Sequence, residues 1–173
     1  KEVKRPVVVY IPLGSNMGSH TGNGIIEGSI NNNDGRIGTV LVTPTGNQGN
    51  TETHTQGVIE KTGDYKDIQI RMSSKQKVLP IEIWINKPNR VVLSSISPSG
   101  EIIPNLTSKN TNKERLKFTY EGTEMIVNFT SPEQTTGDGL ISIQASNIRE
   151  GIWKFRLTGE YIVNGNYYAW IPQ

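Results

Sequence analysis

The feature that most constrains the fold is a series of short segments in which apolar and polar residues alternate. They recur about every 8–15 residues from residue 51 onward, with turn residues between them. In "YKDIQIRM", for example, Ile68, Ile70 and Met72 alternate with charged or polar neighbours. Successive side chains of a strand point to opposite faces, so each segment predicts a strand with one apolar face. Eight or nine such strands without a helix predict a two-sheet β-sandwich, and a jelly roll is favoured. An immunoglobulin-like sandwich is the alternative, but the chain has no cysteine pair to support it.

The predicted strands of this half cover most of its length. They are 65–72, 79–86, 90–97, 101–106, 115–122, 124–131, 138–147, 151–160 and 161–172. Asn164-Gly165 in the last of them is a strong hairpin signal. Tyr120 is predicted to face inward with Leu116 and Phe118, and Trp84 to face outward with Glu82. Most of the large aromatic residues are predicted to be core: Trp84, Trp153, Phe118, Phe129, Phe155 and Trp170.

The first fifty residues follow a different pattern. Residues 7–11 are a continuous apolar run, which is typical of a strand covered on both faces. A glycine-rich stretch and a short helix over "IIEGSINNNDG" follow, with Ile25, Ile26 and Ile30 on one side and Asn-Asp-Gly as its stop. "RIGTVLVT" is a second strand, so this part predicts a βαβ unit. One such unit cannot bury both faces of its sheet, so we expect it to belong to a larger sheet and to present uncovered apolar surface. The fold class is therefore mainly β, with residues 1–52 as a partial α/β segment and residues 53–173 as the sandwich.

Composition excludes several kinds of function. The 18 basic and 16 acidic residues leave a formal charge of +2, and the basic residues are scattered, so no nucleic-acid partner is expected. The chain has no cysteine, which excludes a disulfide framework, a thiolate metal site and a cysteine nucleophile. No apolar run is long enough to cross a bilayer, so no membrane partner is expected. Neither a metal nor another cofactor is expected.

Some polar residues have ordinary explanations beside functional ones. His20 and His54, the only histidines, are candidates for a general base, but both are predicted to be exposed loop residues and they make a poor metal site. Asp34, Asp64 and Asp138 stand beside glycine in turn sequences. The sequons at Asn105 and Asn128 match a glycosylation pattern that is common by chance.

The stretch Gly46-Asn47-Gln48-Gly49 is the main candidate for chemistry. It follows the second predicted parallel strand, and sites in open α/β sheets form at the carboxyl ends of such strands. A primary amide there can donate a hydrogen bond to a developing oxyanion. The same four residues also make a good turn, so spacing alone leaves both interpretations open.

Larger motifs resemble a known family. "RPVVVYIPLGSNMGSHTG" followed by "GRIGTVLVTPTGNQGN" is similar to the middle of a subtilisin-like serine protease. "SISPSGEIIP" and "GIWKFRLTGEYIVNGNYYAWIP" resemble the jelly-roll insert of the clostridial members called Csp germination proteases. The resemblance covers essentially the whole chain and marks it as a piece of a longer protein.

The resemblance implies roles for particular residues. Asn47 would be the oxyanion-hole residue, and Pro12, Leu13, Gly14 and Gly46 would line the substrate cleft. The triad Asp, His and Ser of the family would lie outside this chain, so the chain alone should be inactive.

The resemblance also implies a biological setting. The family activates, or signals to, a cortex-lytic hydrolase during spore germination. The expected partners are the rest of the subtilase domain, other Csp-type proteins or the hydrolase precursor, and the expected location is the spore or the exterior of the cell. The insert would stabilise the protease domain and present a surface for partner proteins.

Two prolines depart from the family pattern. Pro12 replaces a usual serine and Pro44 precedes the oxyanion loop, which favours a pseudoprotease, whereas tolerated variation in an active protease is the alternative. A different class of function, a carbohydrate- or ligand-binding sandwich of a surface protein, would require exposed coplanar aromatic residues.

Overall fold

The computed structural model describes residues 5–34, 38–47, 49, 51–107 and 112–172. The βαβ unit is present: strand β1 (Val7–Tyr10), helix α1 (Ile25–Asp34) and strand β2 (Thr39–Val42). β1 and β2 pair in parallel, with Val7 opposite Thr39 and Tyr10 opposite Val42. The prediction of a parallel pair joined by a helix is confirmed, although Gly35, Arg36 and Ile37 lie outside the described residues.

This unit leaves its apolar residues uncovered, as the sequence indicates. Val8 is 68% exposed and Val40 54% exposed, and on the helix Ile25 and Ile26 are more than 70% exposed. A two-stranded sheet with one helix therefore has no core of its own.

The sandwich contains ten described strands rather than eight or nine. They are β3 (His54–Val58), β4 (Tyr65–Met72), β5 (Gln76–Ile85), β6 (Arg90–Ile96), β7 (Ile102–Leu106), β8 (Lys113–Phe118), β9 (Thr123–Thr130), β10 (Gly139–Ile148), β11 (Gly151–Tyr161) and β12 (Asn166–Trp170). The strand that the sequence did not predict is β3, because "HTQGV" carries little apolar alternation.

The strands form two antiparallel sheets. One has six strands in the order β3-β12-β5-β10-β9-β8, and the other has four in the order β4-β11-β6-β7. β4, β5 and β6 alternate between the sheets, as do β10, β11 and β12, which is a jelly-roll feature. The strands β8, β9 and β10 instead form a meander within one sheet, which is not a jelly-roll feature. The two-sheet sandwich is confirmed, and the jelly-roll topology stays a prediction.

The core lies between the sheets and follows the predicted alternation. Ile68, Ile70 and Met72 of β4 are buried, whereas Gln69 and Arg71 between them are exposed. Phe118 of the six-stranded sheet packs edge-to-face on Trp153 of the four-stranded sheet, with ring centroids 5.0 Å apart. Aromatic pairs prefer this geometry, so these two fully buried rings join the two layers.

Two local predictions, for Tyr120 and for Asn164-Gly165, were wrong. Tyr120 is 77% exposed because β8 ends at Phe118 and the chain turns before Tyr120. Trp84 lies on the outer face beside Glu82 and is buried, so both predictions made for it are confirmed. Asn164-Gly165 does not close a hairpin, because β11 and β12 belong to different sheets.

An ion pair on the outer face of the four-stranded sheet gives a testable pH effect. Arg156 donates from Nε and Nη2 to the two carboxylate oxygens of Asp67, at 2.7 and 2.8 Å, and its guanidinium also lies over the ring of Tyr65. The hydrogen bond from Arg156 lowers the pKa of Asp67 below its ordinary value. The stabilisation that the ion pair contributes is therefore complete above about pH 4. It is lost as the pH falls through the lowered pKa of Asp67.

We expect Asp67→Asn to lower the free energy of unfolding by about 1 kcal/mol at neutral pH, since the pair is bidentate but partly exposed. The variant should lose less stability than the wild type between about pH 5 and pH 2. Urea denaturation across this range measures both effects. If the two proteins lose the same stability on acidification, the lowered pKa of Asp67 is contradicted.

Candidate functional site: the strand ends and the docked segment

The residues predicted to line a substrate cleft follow β1 directly. The backbone N–H of Ile11 donates to the carbonyl of Val42 at 2.9 Å, so pairing with β2 continues one residue beyond β1. Pro12, Leu13 and Gly14 come next and are all exposed. These residues therefore begin at the carboxyl edge of the two-stranded sheet.

The predicted oxyanion residue follows β2 at the same edge. Gly46 has a φ of 93°, which favours glycine, and Asn47 after it is exposed. Gln48 of the same motif lies outside the described residues. Because β1 and β2 are neighbouring parallel strands, both candidate segments leave the sheet on one side, where ligands of open α/β sheets bind. The individual roles of Pro12, Leu13, Gly14, Gly46 and Asn47 stay predictions.

Just beyond Gly14 the chain attaches to the sandwich. We call residues Asn16–His20 the docking segment. The Asn16 side-chain amide donates to Thr53 Oγ1 at 3.1 Å, and the backbone N–H of Gly18 donates to Glu82 Oε2 at 2.8 Å. The same Glu82 oxygen accepts a bond from Trp84 Nε1 at 3.1 Å. Glu82 thus links the docking segment to a central strand of the six-stranded sheet.

Both histidines lie against one tryptophan in this attachment. The rings of His20 and Trp170 are stacked with centroids 3.7 Å apart, and the rings of His54 and Trp170 with centroids 3.8 Å apart. Two rings cannot share one face of the indole at such short distances, so the histidines lie on opposite faces. His54 is the first residue of β3 and is paired with Trp170, so the prediction of a loop position was wrong for it.

The surroundings of His54 in the stack favour its neutral form. Burial, and after it the charge of His20, lower the pKa of His54 from its ordinary value of 6.5. His20 has a φ of 54° and its Nε2 lies 3.1 Å from the backbone carbonyl oxygen of Asn16. A structural stack therefore accounts for both rings better than a general base does. In the described part of the chain, no cluster of three or more His, Asp or Glu side chains is arranged to hold a metal ion.

A cleft of about 500 Å³ opens beside the stack, between the sheet edges formed by β3 and β4. Ile68, Ile70 and Ile81 form part of its apolar lining, and Glu52 and Arg71 contribute charged side chains. This cleft lies between the two sheets of the sandwich and is separate from the ends of β1 and β2.

The aromatic residues do not form an open stacking platform among the described residues. Trp84 and Trp153 are buried, and Trp170 is covered by the two histidines. The exposed Tyr65 and Tyr161 each carry an arginine over the ring, at 4.1 and 5.3 Å from the centroid. A flat sugar-binding surface is therefore not favoured.

Sequence reasoning missed the docking contacts. Glu82 was placed correctly on the polar face of β5, but alternation says only which face a residue occupies and not what packs there. One feature could have indicated that a segment packs on this outer face, where solvated residues are usual. Three large aromatic residues and one glutamate lie together there: Glu82, Trp84, Tyr168 and Trp170.

Comparison with known proteins shows the fold. No protein-family model matches the chain, and no curated protein matches it. A solved structure, that of the CspB protease of Clostridium perfringens, matches with a TM-score of 0.83 and 23% sequence identity. The likeness covers 96% of this chain and 35% of that chain, so the chain spans about a third of the length of the protease. The βαβ unit and the sandwich thus occur together in that protease.

A separate finding concerns membranes. Within the described residues, no helix is both long enough and apolar enough to cross one.

Proposed function

We propose that this chain is the central part of a Csp-type subtilisin-like serine protease, comprising a βαβ piece of the catalytic domain and an inserted sandwich. The observation that carries the proposal is the shared fold with the CspB protease over 96% of the chain. Two features add support: the adjacent parallel strands β1 and β2, and the motif Gly46-Asn47 directly after the second of them.

In this proposal the two strand ends form part of a peptide-binding cleft. Pro12, Leu13 and Gly14 would lie along the substrate backbone, and the Asn47 amide would donate to the oxyanion of the tetrahedral intermediate. An oxyanion donor does not itself break a bond, so the nucleophile and base must come from elsewhere in the longer protein. The exposed apolar residues of β1, α1 and β2 fit this, because the rest of a subtilase sheet would cover them.

The sandwich would stabilise the catalytic domain. The docking segment continues directly from the proposed cleft residues and is held by side chains of β5 and β12. Fixing this path raises the free energy of local opening near the cleft, which slows proteolysis and unfolding there. The partners would be the rest of the subtilase domain, other Csp-type proteins or the precursor of a cortex-lytic hydrolase. The location would be the spore or the cell exterior.

A second candidate is a pseudoprotease of the same fold. Pro12 and Pro44 both follow strand ends that would face substrate, and proline cannot donate a backbone hydrogen bond there. Both prolines are exposed in this chain. A cleft that has lost its activity would explain Pro12 and Pro44.

Turnover by the longer protein that carries this chain distinguishes the two. We expect it to cleave a generic peptide, and we expect a serine-reactive inhibitor to abolish the cleavage. Turnover that survives the inhibitor would contradict the serine-protease proposal. A fully folded parent without any turnover would favour the pseudoprotease.

A further inference from the structure

We propose that Glu82 and Trp170 are positioning residues for the segment Pro12–Gly14, and that His20 and His54 make this attachment sensitive to pH. The consequence for catalysis rests on the proposed function, whereas the attachment and its pH dependence do not.

The geometry of the attachment supports a positioning role. Glu82 accepts from the backbone N–H of Gly18, and Trp170 stacks on His20, so two neighbouring strands of a rigid sheet hold the docking segment. Only Ser15 separates Asn16 from Gly14. A movement of the docking segment therefore has to move the residues proposed to contact the substrate, and small displacements in such segments have large kinetic effects.

The two histidine rings share one partner, because both stack on Trp170. One imidazolium over an indole face is favourable, so a single proton does not open the stack. A second proton places two positive charges on opposite faces of one ring, where they repel. Burial lowers the pKa of His54 and the charge of His20 lowers it further, with the His20 ring held on Trp170 by the docking segment.

The direction of the pH effect follows from that lowered pKa. Below 6.5, the ordinary pKa of histidine, the folded docked state binds fewer protons than a state in which His54 is free. Docking is therefore fully stable above pH 6.5 and weakens as the pH falls below it. The charged side chains near the stack are Glu82 on β5, Glu52 before β3 and Arg71 on β4. The Glu82 carboxylate already accepts two hydrogen bonds, from Gly18 and Trp84, so it is occupied in the docked state.

The direct test measures the protection of the Gly18 amide against hydrogen exchange, by NMR on the 173-residue chain. His20→Asn keeps a residue that tolerates positive φ and removes the ring. It should lower the protection factor about two- to twelvefold, the range that aromatic pairs contribute. Glu82→Gln should lower the protection factor about fivefold, since the glutamine oxygen can still accept from Gly18 but no longer carries a negative charge. Glu124→Gln, which changes an exposed glutamate on β9, is the matched control and should have no effect.

The test of the pH dependence measures the protection factor of the same Gly18 amide. In the wild type the protection factor should fall about three- to tenfold between about pH 8 and pH 5.5, and this dependence should disappear in His20→Asn. A protection factor that does not change with pH, or the same change in His20→Asn, would overturn the pH sensitivity. Normal protection in both His20→Asn and Glu82→Gln would overturn the attachment itself.

The functional arm uses the longer protein. Glu82→Gln should raise KM with kcat nearly unchanged, and the wild-type KM should rise on acidification more than that of His20→Asn. An unchanged KM in an active Glu82→Gln protein would overturn the positioning role. A parent without turnover would instead contradict the protease proposal, and the Gly18 measurement would still decide the attachment.

Discussion

Replacing Asn89 with alanine is expected to lower the free energy of unfolding by about 2–4 kcal/mol, because one buried side chain makes five hydrogen bonds, three of them to backbone N–H groups. Asn89 is only 2% exposed. Its Oδ1 accepts from the backbone N–H groups of Val163, Asn164 and Gly165 at 2.8, 3.2 and 3.2 Å. Its Nδ2 donates to the carbonyl of Asn86 and to the side chain of Asn164.

These bonds fix the crossover between the two sheets. β11 ends at Tyr161 in one sheet and β12 begins at Asn166 in the other, so the connecting residues belong to no ladder. The backbone N–H groups of Val163, Asn164 and Gly165 find their acceptor in Asn89 instead, and that of Ile162 donates to Thr62 Oγ1. Truncation to alanine would remove the acceptor of all three donors. The Gly165 donor is buried, and an unsatisfied buried donor costs about 1–3 kcal/mol, whereas the exposed Val163 and Asn164 can turn to water at a smaller cost.

Urea denaturation with the m-value monitored measures the loss. Asn89→Asp keeps the acceptor oxygen and should lose less stability than Asn89→Ala. Asn32→Ala, on the exposed part of α1, is a surface control that should stay within about 0.5 kcal/mol of the wild type. A loss below about 1 kcal/mol in Asn89→Ala would show that the crossover does not depend on this side chain.

The same crossover shows where sequence reasoning failed. Asn164-Gly165 was interpreted as a hairpin because the dipeptide matches the backbone of a tight turn. The glycine is needed for another reason: its φ is 66°, and a Cβ there would overlap the backbone oxygen of Ile59. A dipeptide signal reports local backbone conformation, and it does not say whether the chain returns to its own sheet or passes to the opposite one.

The alternation of apolar residues predicted most of the fold. Strands such as β4 and β9 bury every second residue, so period-two patterning determined both their extent and their inner faces. β3 was missed because it is an edge strand with a polar sequence, and its formation depends on pairing with β12. Sheet order and the number of strands depend on such long-range pairings, which local patterning does not encode.

The candidate site was predictable only in part. Apolar runs located β1 and β2, and their parallel pairing brings the segments after Ile11 and Val42 to one edge. The sandwich contacts of the docking segment were not predictable, because they join residues separated by 64 positions for Gly18 and Glu82. Such contacts depend on how the docking segment packs on the sandwich, and neither local sequence contains a pattern that predicts them.

The most direct test of the protease account is the effect of Asn47→Ala on kcat of the longer protease that we propose this chain belongs to. If the Asn47 amide donates to the oxyanion, its loss should lower kcat about 10²–10³-fold with KM nearly unchanged, because the bond forms in the transition state. That magnitude is the one known for the oxyanion asparagine of subtilisin, the type member of the fold. Asn32→Ala is the matched control and should leave kcat unaltered. A kcat for Asn47→Ala within about twofold of the wild type would contradict the account, since a removed oxyanion donor costs far more than that.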